Sequence, residues 1–118
     1  MISFLLSLFL NTQQVQTIEP THSYTTYASW YGPGLYGNKM ANGESFKKST
    51  IAAAHRRLPF GTKIIVTNLN NGRSIELEIK DRGPFVEKHK RTLDISYAAA
   101  VQLAMISDGV VPVKIEVI

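Results

Sequence analysis

The stretch KDRGPF, residues 80–85, closes an alternating segment with an acid, a guanidinium, a glycine and a proline. Its reactive candidate is Asp81. Upstream, Ile75, Leu77 and Ile79 alternate with Glu76, Glu78 and Lys80, the two-residue period of a strand with one buried and one wet face. Asp81 shares the parity of the isoleucines, so a regular pleat carries its carboxylate to the core side, where Gly83 and Pro84 stop the strand. Partial desolvation there disfavours the charged form unless a cation compensates, and a carboxyl group held that way is suited to general acid work. The plainer alternative is that Asp81 caps the RGPF turn by accepting backbone N–H bonds, as turn aspartates often do.

The elements that must position this acid are mostly strands. Asn71-Gly72 signals a two-residue type I′ hairpin, which pairs Val66 with Leu77, Ile64 with Ile79 and Thr62 with Asp81. YTTYASWYG, from residue 24, is rich in aromatic and β-branched residues and ends at Gly32-Pro33-Gly34. A second turn falls at Asn42-Gly43, and TIAAAHRRL is open between strand and helix. LDISYAAAVQLAM supplies the one convincing helix, with Ser96 as N-cap, an apolar stripe of Tyr97, Val101, Ala104 and Met105, and a stop at residues 107–109. Asp94 then belongs to the helix start and is not read as catalytic. The final VVPVKIEVI alternates again, with Val111, Val113, Ile115 and Val117 inward and Pro112 at an edge or strand start. Several short strands with one helix imply a small, mostly β barrel, because closure removes exposed edges.

A chain of 118 residues holds one domain with a real core. It has no cysteine, which excludes disulfides, thiolate metal sites, a cysteine nucleophile and lipid attachment through an N-terminal cysteine. His22, His55 and His89 lack ligand spacing, so no metal or other cofactor is expected. Thirteen Lys and Arg against nine Asp and Glu give +4, which favours anionic partners. The basic residues are scattered, at Lys47-Lys48, Arg56-Arg57 and Lys88, Lys90, Arg91, without the interleaved aromatics of a nucleic-acid surface, so no nucleic-acid partner is expected. MISFLLSLFL is too short to span a bilayer and suits the apolar region of a secretion signal. Residues 1–23 are therefore read as a signal peptide plus linker and residues 24–118 as the domain, the alternative being an N-terminal helix of the domain itself.

ASWYGPGLYGNKMANGESF, AAAHRRLPFGTKIIVTNLNNGRS, IKDRGPF and LDISYAAAVQLAM occur in the order and at the approximate spacings of the RlpA-like (rare lipoprotein A) proteins, which this chain resembles over residues 27–118. The resemblance implies a six-stranded double-psi β-barrel with one or two short helices, a fold also used by expansins and family-45 endoglucanases. It also implies endolytic peptidoglycan transglycosylation: cleavage between N-acetylmuramic acid and N-acetylglucosamine to leave a 1,6-anhydro end, with a preference for strands without stem peptides. Carried across, the family's functional positions fall on Glu44 of ANGESF, His55 of AAAH and Asp81 of KDRGPF. Leu35 and Met40 depart from the pattern, where an aromatic and a threonine are expected, as does the missing lipid-bearing cysteine. The implied setting is the cell envelope, periplasmic or extracellular, with peptidoglycan strands as ligand, cell-division or envelope proteins as further partners, and a monomeric state.

For this chemistry a single carboxyl group suffices in principle, first protonating the leaving oxygen and then taking the proton of the sugar's C6 hydroxyl. Asp81 is the better candidate for that role. Glu44, beside Asn42 in a glycine-containing turn, is expected to be exposed and ionised, for substrate positioning or support of the cationic centre; alternatively it is a surface glutamate. His55 could orient a carboxylate or relay a proton, or be a core histidine satisfied by backbone. Trp30 and Tyr31 offer aromatic faces for sugars, though neighbours on a strand face opposite ways, so one should line a groove and the other fill the core. Asn42, Arg56 and Arg82 complete the expected substrate contacts, with Arg57 as a further cation; solvated surface is the default for the arginines. Two rival classes stand beside the enzyme: an expansin-like module that binds or loosens the wall without cleaving it, and a secreted protein or inhibitor that uses the barrel as a scaffold. A binding module has no need of Glu44, His55 and Asp81 together.

Overall fold

A computed structural model describes residues 22–85 and 91–118, so residues 1–21 of the expected signal and linker, with Lys88, His89 and Lys90, lie outside the described residues, while residues 22 and 23, expected in the linker, open the first strand. Six strands are present among the described residues: β1 (His22–Tyr31), β2 (Ala53–His55), β3 (Lys63–Asn68), β4 (Ser74–Asp81), β5 (Arg91–Ser96) and β6 (Val111–Val117). They close a barrel in the order β1-β5-β2-β4-β3-β6, with β1–β5 and β2–β4 parallel and the other neighbours antiparallel. The expected closed six-stranded barrel is thus observed. Alternation drives it: Ile64, Val66, Leu77, Ile79, Leu93, Ile95, Val111, Val113 and Ile115 point inward and are buried. Pro112 stands near the start of β6, a strand paired on both sides, and no edge is needed to accommodate it.

The hairpin register differs from expectation. Ile64 pairs with Leu77 and Val66 with Ile75, two residues away from the expected partners, because the loop between Asn68 and Arg73 has four residues instead of two. Side chains impose that length. Asn68 Oδ1 accepts the Asn70 N–H and Asn71 Oδ1 the Arg73 N–H, while both asparagine amides donate to the Leu103 carbonyl at 3.0 Å. A shift of two preserves the faces, so the core assignment survives it.

The helix is shorter than its pattern suggests. LDIS belongs to β5, and α1 covers only Tyr97–Gln102. Ser96 holds the N-cap position but makes no side-chain cap bond; its hydroxyl accepts the Ala52 N–H instead, at 3.1 Å. Of the expected stripe, Met105 is buried but lies beyond the helix, whereas Val101 is 47% exposed and Ala104 is exposed; Ala99, Ala100 and Leu103 are buried in their place. The helix ends well before residue 107, where Ala104 takes a left-handed φ of 53° and Met105 N–H bonds back to Ala100.

A second, smaller core lies outside the barrel under residues 32–46. Phe46, Met40 and Ala52 are buried there, with Tyr31 and Tyr36 stacked on Phe46 at centroid distances of 4.9 and 5.3 Å. Gly32 lets this layer approach: a Cβ there would meet Tyr36 Oη and Tyr97 Cβ at 2.7 Å.

Parity alone would send Asp81 inward, and the pleat is interrupted before it gets there. Ala53 pairs with Ile79 but Ala54 with Asp81, so two residues of β4 oppose one of β2. This bulge releases Asp81 from the inward column. Lys80 and Asp81 both reach the same loop, Lys80 to Glu44 and Asp81 to Ala41. Thr62, the expected partner of Asp81, lies instead opposite Ile79, whose N–H it accepts at 2.9 Å.

Candidate active site

Strand β2 lies between β4 and β5, and Ala54 is the register partner of Asp81 on one side and Asp94 on the other. The two aspartates therefore flank one small side chain, their Cα atoms about 10 Å apart, two interstrand spacings. Asp81, Asp94 and Ala54, with Tyr31, Leu35 and Arg82, line a groove of 160 Å³. An adjoining depression of 140 Å³ shares Asp81, Tyr31 and Leu35 and adds Asn38, Lys39, Met40 and Phe46. A smaller residue than Ala54 would not be needed there, and a larger one would occupy the space between the acids.

The two carboxyl groups have different surroundings. Asp81 Oδ1 accepts the N–H groups of Ala41 and Arg82, both at 2.9 Å, so the acid does cap the turn as well as face the groove. Asp94 Oδ1 accepts the Ser29 hydroxyl at 2.8 Å. Burial pushes the Asp94 carboxyl above its usual range; the Ser29 bond and Arg91 oppose this, and Asp81 adds to it. Tyr31 roofs both depressions, and burial together with the two aspartates pushes its phenol well above the ordinary value. Its hydroxyl is buried and has no hydrogen-bond partner among the described residues.

The other candidates are distributed around this groove. Glu44 is 56% exposed at the rim, bonded to Lys80 Nζ at 2.9 Å and to the Asn42 amide at 3.1 Å. The Lys80 hydrogen bond and charge hold its carboxyl below the usual range, so it is ionised. Asn42 organises that turn, its Oδ1 accepting the Glu44 N–H and its own N–H donating to the Lys80 carbonyl. The loop is thus pinned to the end of β4, close to Asp81 but without contact between the two acids. Trp30 is partly buried against the barrel core, its indole N–H bonded to the Ile106 carbonyl at 3.2 Å and its ring set edge-on to Tyr97. Tyr31 takes the groove and Trp30 the core side. Arg82 donates to the carbonyls of His55 and Leu58 and lies 3.9 Å from the Phe60 ring, so its guanidinium braces the wall of the groove as well as lining it.

His55 faces elsewhere. Its Nδ1 accepts the N–H groups of Arg57 and Leu58 at 3.0 Å, which leaves the proton on Nε2, 3.2 Å from the Tyr24 hydroxyl. Burial, with Arg56, Arg82 and Arg57, pulls its pKa below the ordinary value. It lines a separate cavity of 320 Å³ with Tyr24, Arg56, Arg57 and Thr92. Arg56 is half-buried there, donating to the Arg91 carbonyl at 3.3 Å.

Asp94 was overlooked in the sequence because LDIS reads as the approach to a helix. The signal was present: Leu93 and Ile95 alternate with Asp94 as Leu77 and Ile79 do with their polar neighbours. Among the described residues no group of three His, Cys, Asp or Glu is placed to hold a metal ion, and no helix is long and apolar enough to cross a membrane.

Comparison with known proteins gives a consistent result. The family model described as lytic transglycolase matches residues 23–115. The endolytic peptidoglycan transglycosylase RlpA of Campylobacter jejuni is 50% identical over 91 residues, 77% of this chain and 32% of that protein. A probable counterpart from Aquifex aeolicus is 51% identical over 92 residues, 78% of this chain and 40% of that protein. The chain thus spans about a third of the length of these relatives. Among solved structures, the Streptomyces papain inhibitor superposes with a TM-score of 0.63 at 23% identity, covering 83% of this chain and 96% of that one. A Clavibacter michiganensis expansin in complex with cellohexaose gives 0.64 at 15% identity, covering 82% and 50%. These likenesses establish the double-psi β-barrel fold and nothing further.

Proposed function

The chain belongs to the lytic transglycolase family of double-psi β-barrels, of the RlpA-like type, and from that premise we propose that it cleaves peptidoglycan glycan strands endolytically, between N-acetylmuramic acid and N-acetylglucosamine. The observation that carries the reading is the pair Asp81 and Asp94, set on either side of Ala54 in one groove under Tyr31. Two carboxyl groups in unlike environments are the usual means of dividing acid and base roles. Asp94, kept protonated more readily by burial, gives its proton to the glycosidic oxygen of the departing N-acetylglucosamine as the C1–O bond breaks. Asp81 faces the same space and supports positive charge developing at C1. The C6 hydroxyl then attacks C1, its proton returns to Asp94, and the muramic acid ends as the 1,6-anhydro sugar. No water enters the balance.

Glu44, ionised at the rim, and Asn42 position the incoming strand, Tyr31 offers its ring to a sugar, and Arg82 holds the wall. His55 acts from the neighbouring cavity, through substrate binding. Strands without stem peptides are the proposed substrates, and the proposed place of action is the cell envelope, reached by a signal within residues 1–23.

The test is mass spectrometry of products released from peptidoglycan with and without stem peptides. Release of 1,6-anhydromuramoyl fragments, lost in both Asp81→Asn and Asp94→Asn, is the expected result. Reducing-end muramic acid would make the protein a hydrolase. Strand binding without any release would make it an expansin-like binding module.

A further inference from the structure

The groove has two unlike ends. Its depressions, of 160 and 140 Å³, meet at Tyr31, Leu35 and Asp81 and so form one continuous channel. One end carries Asp94 and Arg82; the other carries Asn38 and Lys39 beside the buried Met40 and Phe46. The cations around this channel differ in how they are occupied. Lys80 is bonded to Glu44 at 2.9 Å, and Arg82 donates to the carbonyls of His55 and Leu58. Lys39 is exposed, and its ammonium makes no hydrogen bond or ion pair among the described residues; the same holds for the side-chain amide of Asn38.

The backbone beneath that cation is fixed. Residues 37–46 form a small hairpin, in which Gly37 N–H donates to the Phe46 carbonyl and Phe46 N–H to the Asn38 carbonyl, both at 2.7 Å, and Met40 N–H to the Glu44 carbonyl at 2.8 Å. Lys39 lies opposite Ser45 across it. Met40 and Phe46 anchor the hairpin in the second core, so a ligand has only the Lys39 side chain left to order. The same loop sets the distance to the acid. Ala41, just beyond Met40, gives its N–H to Asp81 Oδ1 at 2.9 Å, so the Lys39 Cα stands no more than about 7 Å of chain from the residue that holds the carboxylate. An ammonium at that range, on an ordered loop and beside an apolar floor, suits a sugar that carries its own anion.

We propose that the depression at Asn38 and Lys39 is a subsite for the muramic acid unit whose C1 lies between the aspartates, and that Lys39 pairs with the free carboxylate of its lactyl ether. The choice of sugar rests on the peptidoglycan reading above. In that unit the lactyl group leaves C3, across the acetamido carbon from C1, so a ring with C1 at Asp81 can extend its carboxylate toward Lys39 and away from Asp94. N-acetylglucosamine has no anion to offer there, so the pairing selects which of the alternating sugars occupies the cleavage position. A stem peptide turns the carboxylate into an amide and removes its charge, which gives the proposed preference for bare strands a physical cause.

The experiment is a titration of the full chain, followed by the Leu35 methyl and Lys39 Hε–Cε NMR signals, with four probes. These are N-acetylmuramic acid, its lactyl amide, N-acetylglucosamine and N-acetyl-D-alanine, a carboxylate without a sugar. Saturable shifts of both signals are expected with N-acetylmuramic acid, and weaker binding with the other three. Lys39→Gln should bind N-acetylmuramic acid about fivefold more weakly, at the level of its amide, while Lys39→Arg keeps most of the affinity. Equal affinity for the acid and the amide, unchanged affinity in Lys39→Gln, or no saturable shift with any probe would overturn the proposal. Binding of N-acetyl-D-alanine as tight as that of N-acetylmuramic acid would assign the cation to a stem-peptide carboxylate and overturn it as well. The Lys39 side chain makes no bond within the described fold, so its replacement leaves folding intact. The titration requires no bond cleavage: carboxylate-dependent binding by a chain that releases no anhydro product would defeat the enzyme reading alone, and anhydro product without discrimination at Lys39 would defeat the subsite alone.

Discussion

Ala54 and His55 are consecutive residues of a three-residue strand, yet one floors a groove between two carboxyl groups and the other lines a cavity walled by arginines. In the groove, the shared face of β4, β2 and β5 gathers like charges, and burial adds to the cost of ionising Asp94. In the cavity, like charges of the opposite sign surround His55, and burial again works against ionisation, here of a base. The same physical cause raises one pKa and lowers the other. It extends the neutral form of each group, so that Asp94 keeps its proton to higher pH and His55 stays unprotonated to lower pH than either would in water, one as a proton donor in waiting and one as a fixed hydrogen-bond donor.

The comparison breaks most sharply at Asp94. Asp94→Asn should lower turnover by roughly 10²–10⁴-fold, the usual worth of a general acid, measured as anhydro product released per unit time. A raised folded-state pKa means that the native state holds its proton longer than the unfolded chain. The stability contributed by Asp94 is therefore complete below its unfolded pKa near 3.8 and is lost as pH rises through the folded value. Asp94→Asn should accordingly melt higher than the parent at neutral pH, with the difference vanishing in acid. An inactive variant that is also destabilised at neutral pH would assign Asp94 a structural role.

Glu44→Gln comes next. It removes an exposed negative charge at the rim, and a loss of roughly 10–100-fold in rate with little change in melting temperature is expected if its charge supports the cationic centre. An undiminished rate would return Glu44 to ordinary surface. Ala54→Val sharpens the contrast between the two depressions: the added methyls intrude between the acids at a cost of about 1–3 kcal/mol in stability. Cleavage should fall while the His55 ring NMR signals keep their positions. Movement of those signals together with loss of cleavage would show that the two depressions act as one.

The smallest effect is assigned to His55→Gln. With a lowered folded-state pKa, His55 contributes stability that is present above its unfolded pKa near 6.5 and lost as pH falls through the folded value. Replacement should flatten the stability profile below pH 6.5 and cost about 1 kcal/mol above it through weaker satisfaction of the Arg57 and Leu58 N–H groups. An unchanged acid limb would mean that another group titrates there.

How much of this was legible in the chain depended on the range over which each feature is decided. The alternation in β4 and β6 is local, and it correctly assigned the barrel's inward residues. The hairpin loop was not legible, because its length is chosen by Asn68 and Asn71 reaching the carbonyl of Leu103, which lies far along the chain. The short span of α1 follows from strand pairing that claims LDIS before helix propensity can act on it. Asp81 was visible as a candidate from its parity, but its true orientation depends on which residues of β2 stand beside it. The partnership with Asp94 is non-local twice over, since Ala54 mediates it from both sides.

The bulge at the end of β4 has one more consequence, for how the site could be altered by insertion and deletion. A regular strand would allow only every second residue to address the loop above it, whereas here a lysine and an aspartate at successive positions do so, one holding Glu44 and the other the Ala41 N–H. Deleting Lys80 would leave a smooth strand in which Asp81 directly follows the inward Ile79 and so still points outward beside Ala54. The acid would keep its address and lose its escort. The extra residue is thus a means of delivering two opposite charges from one strand end, at the cost of a single irregularity in the ladder.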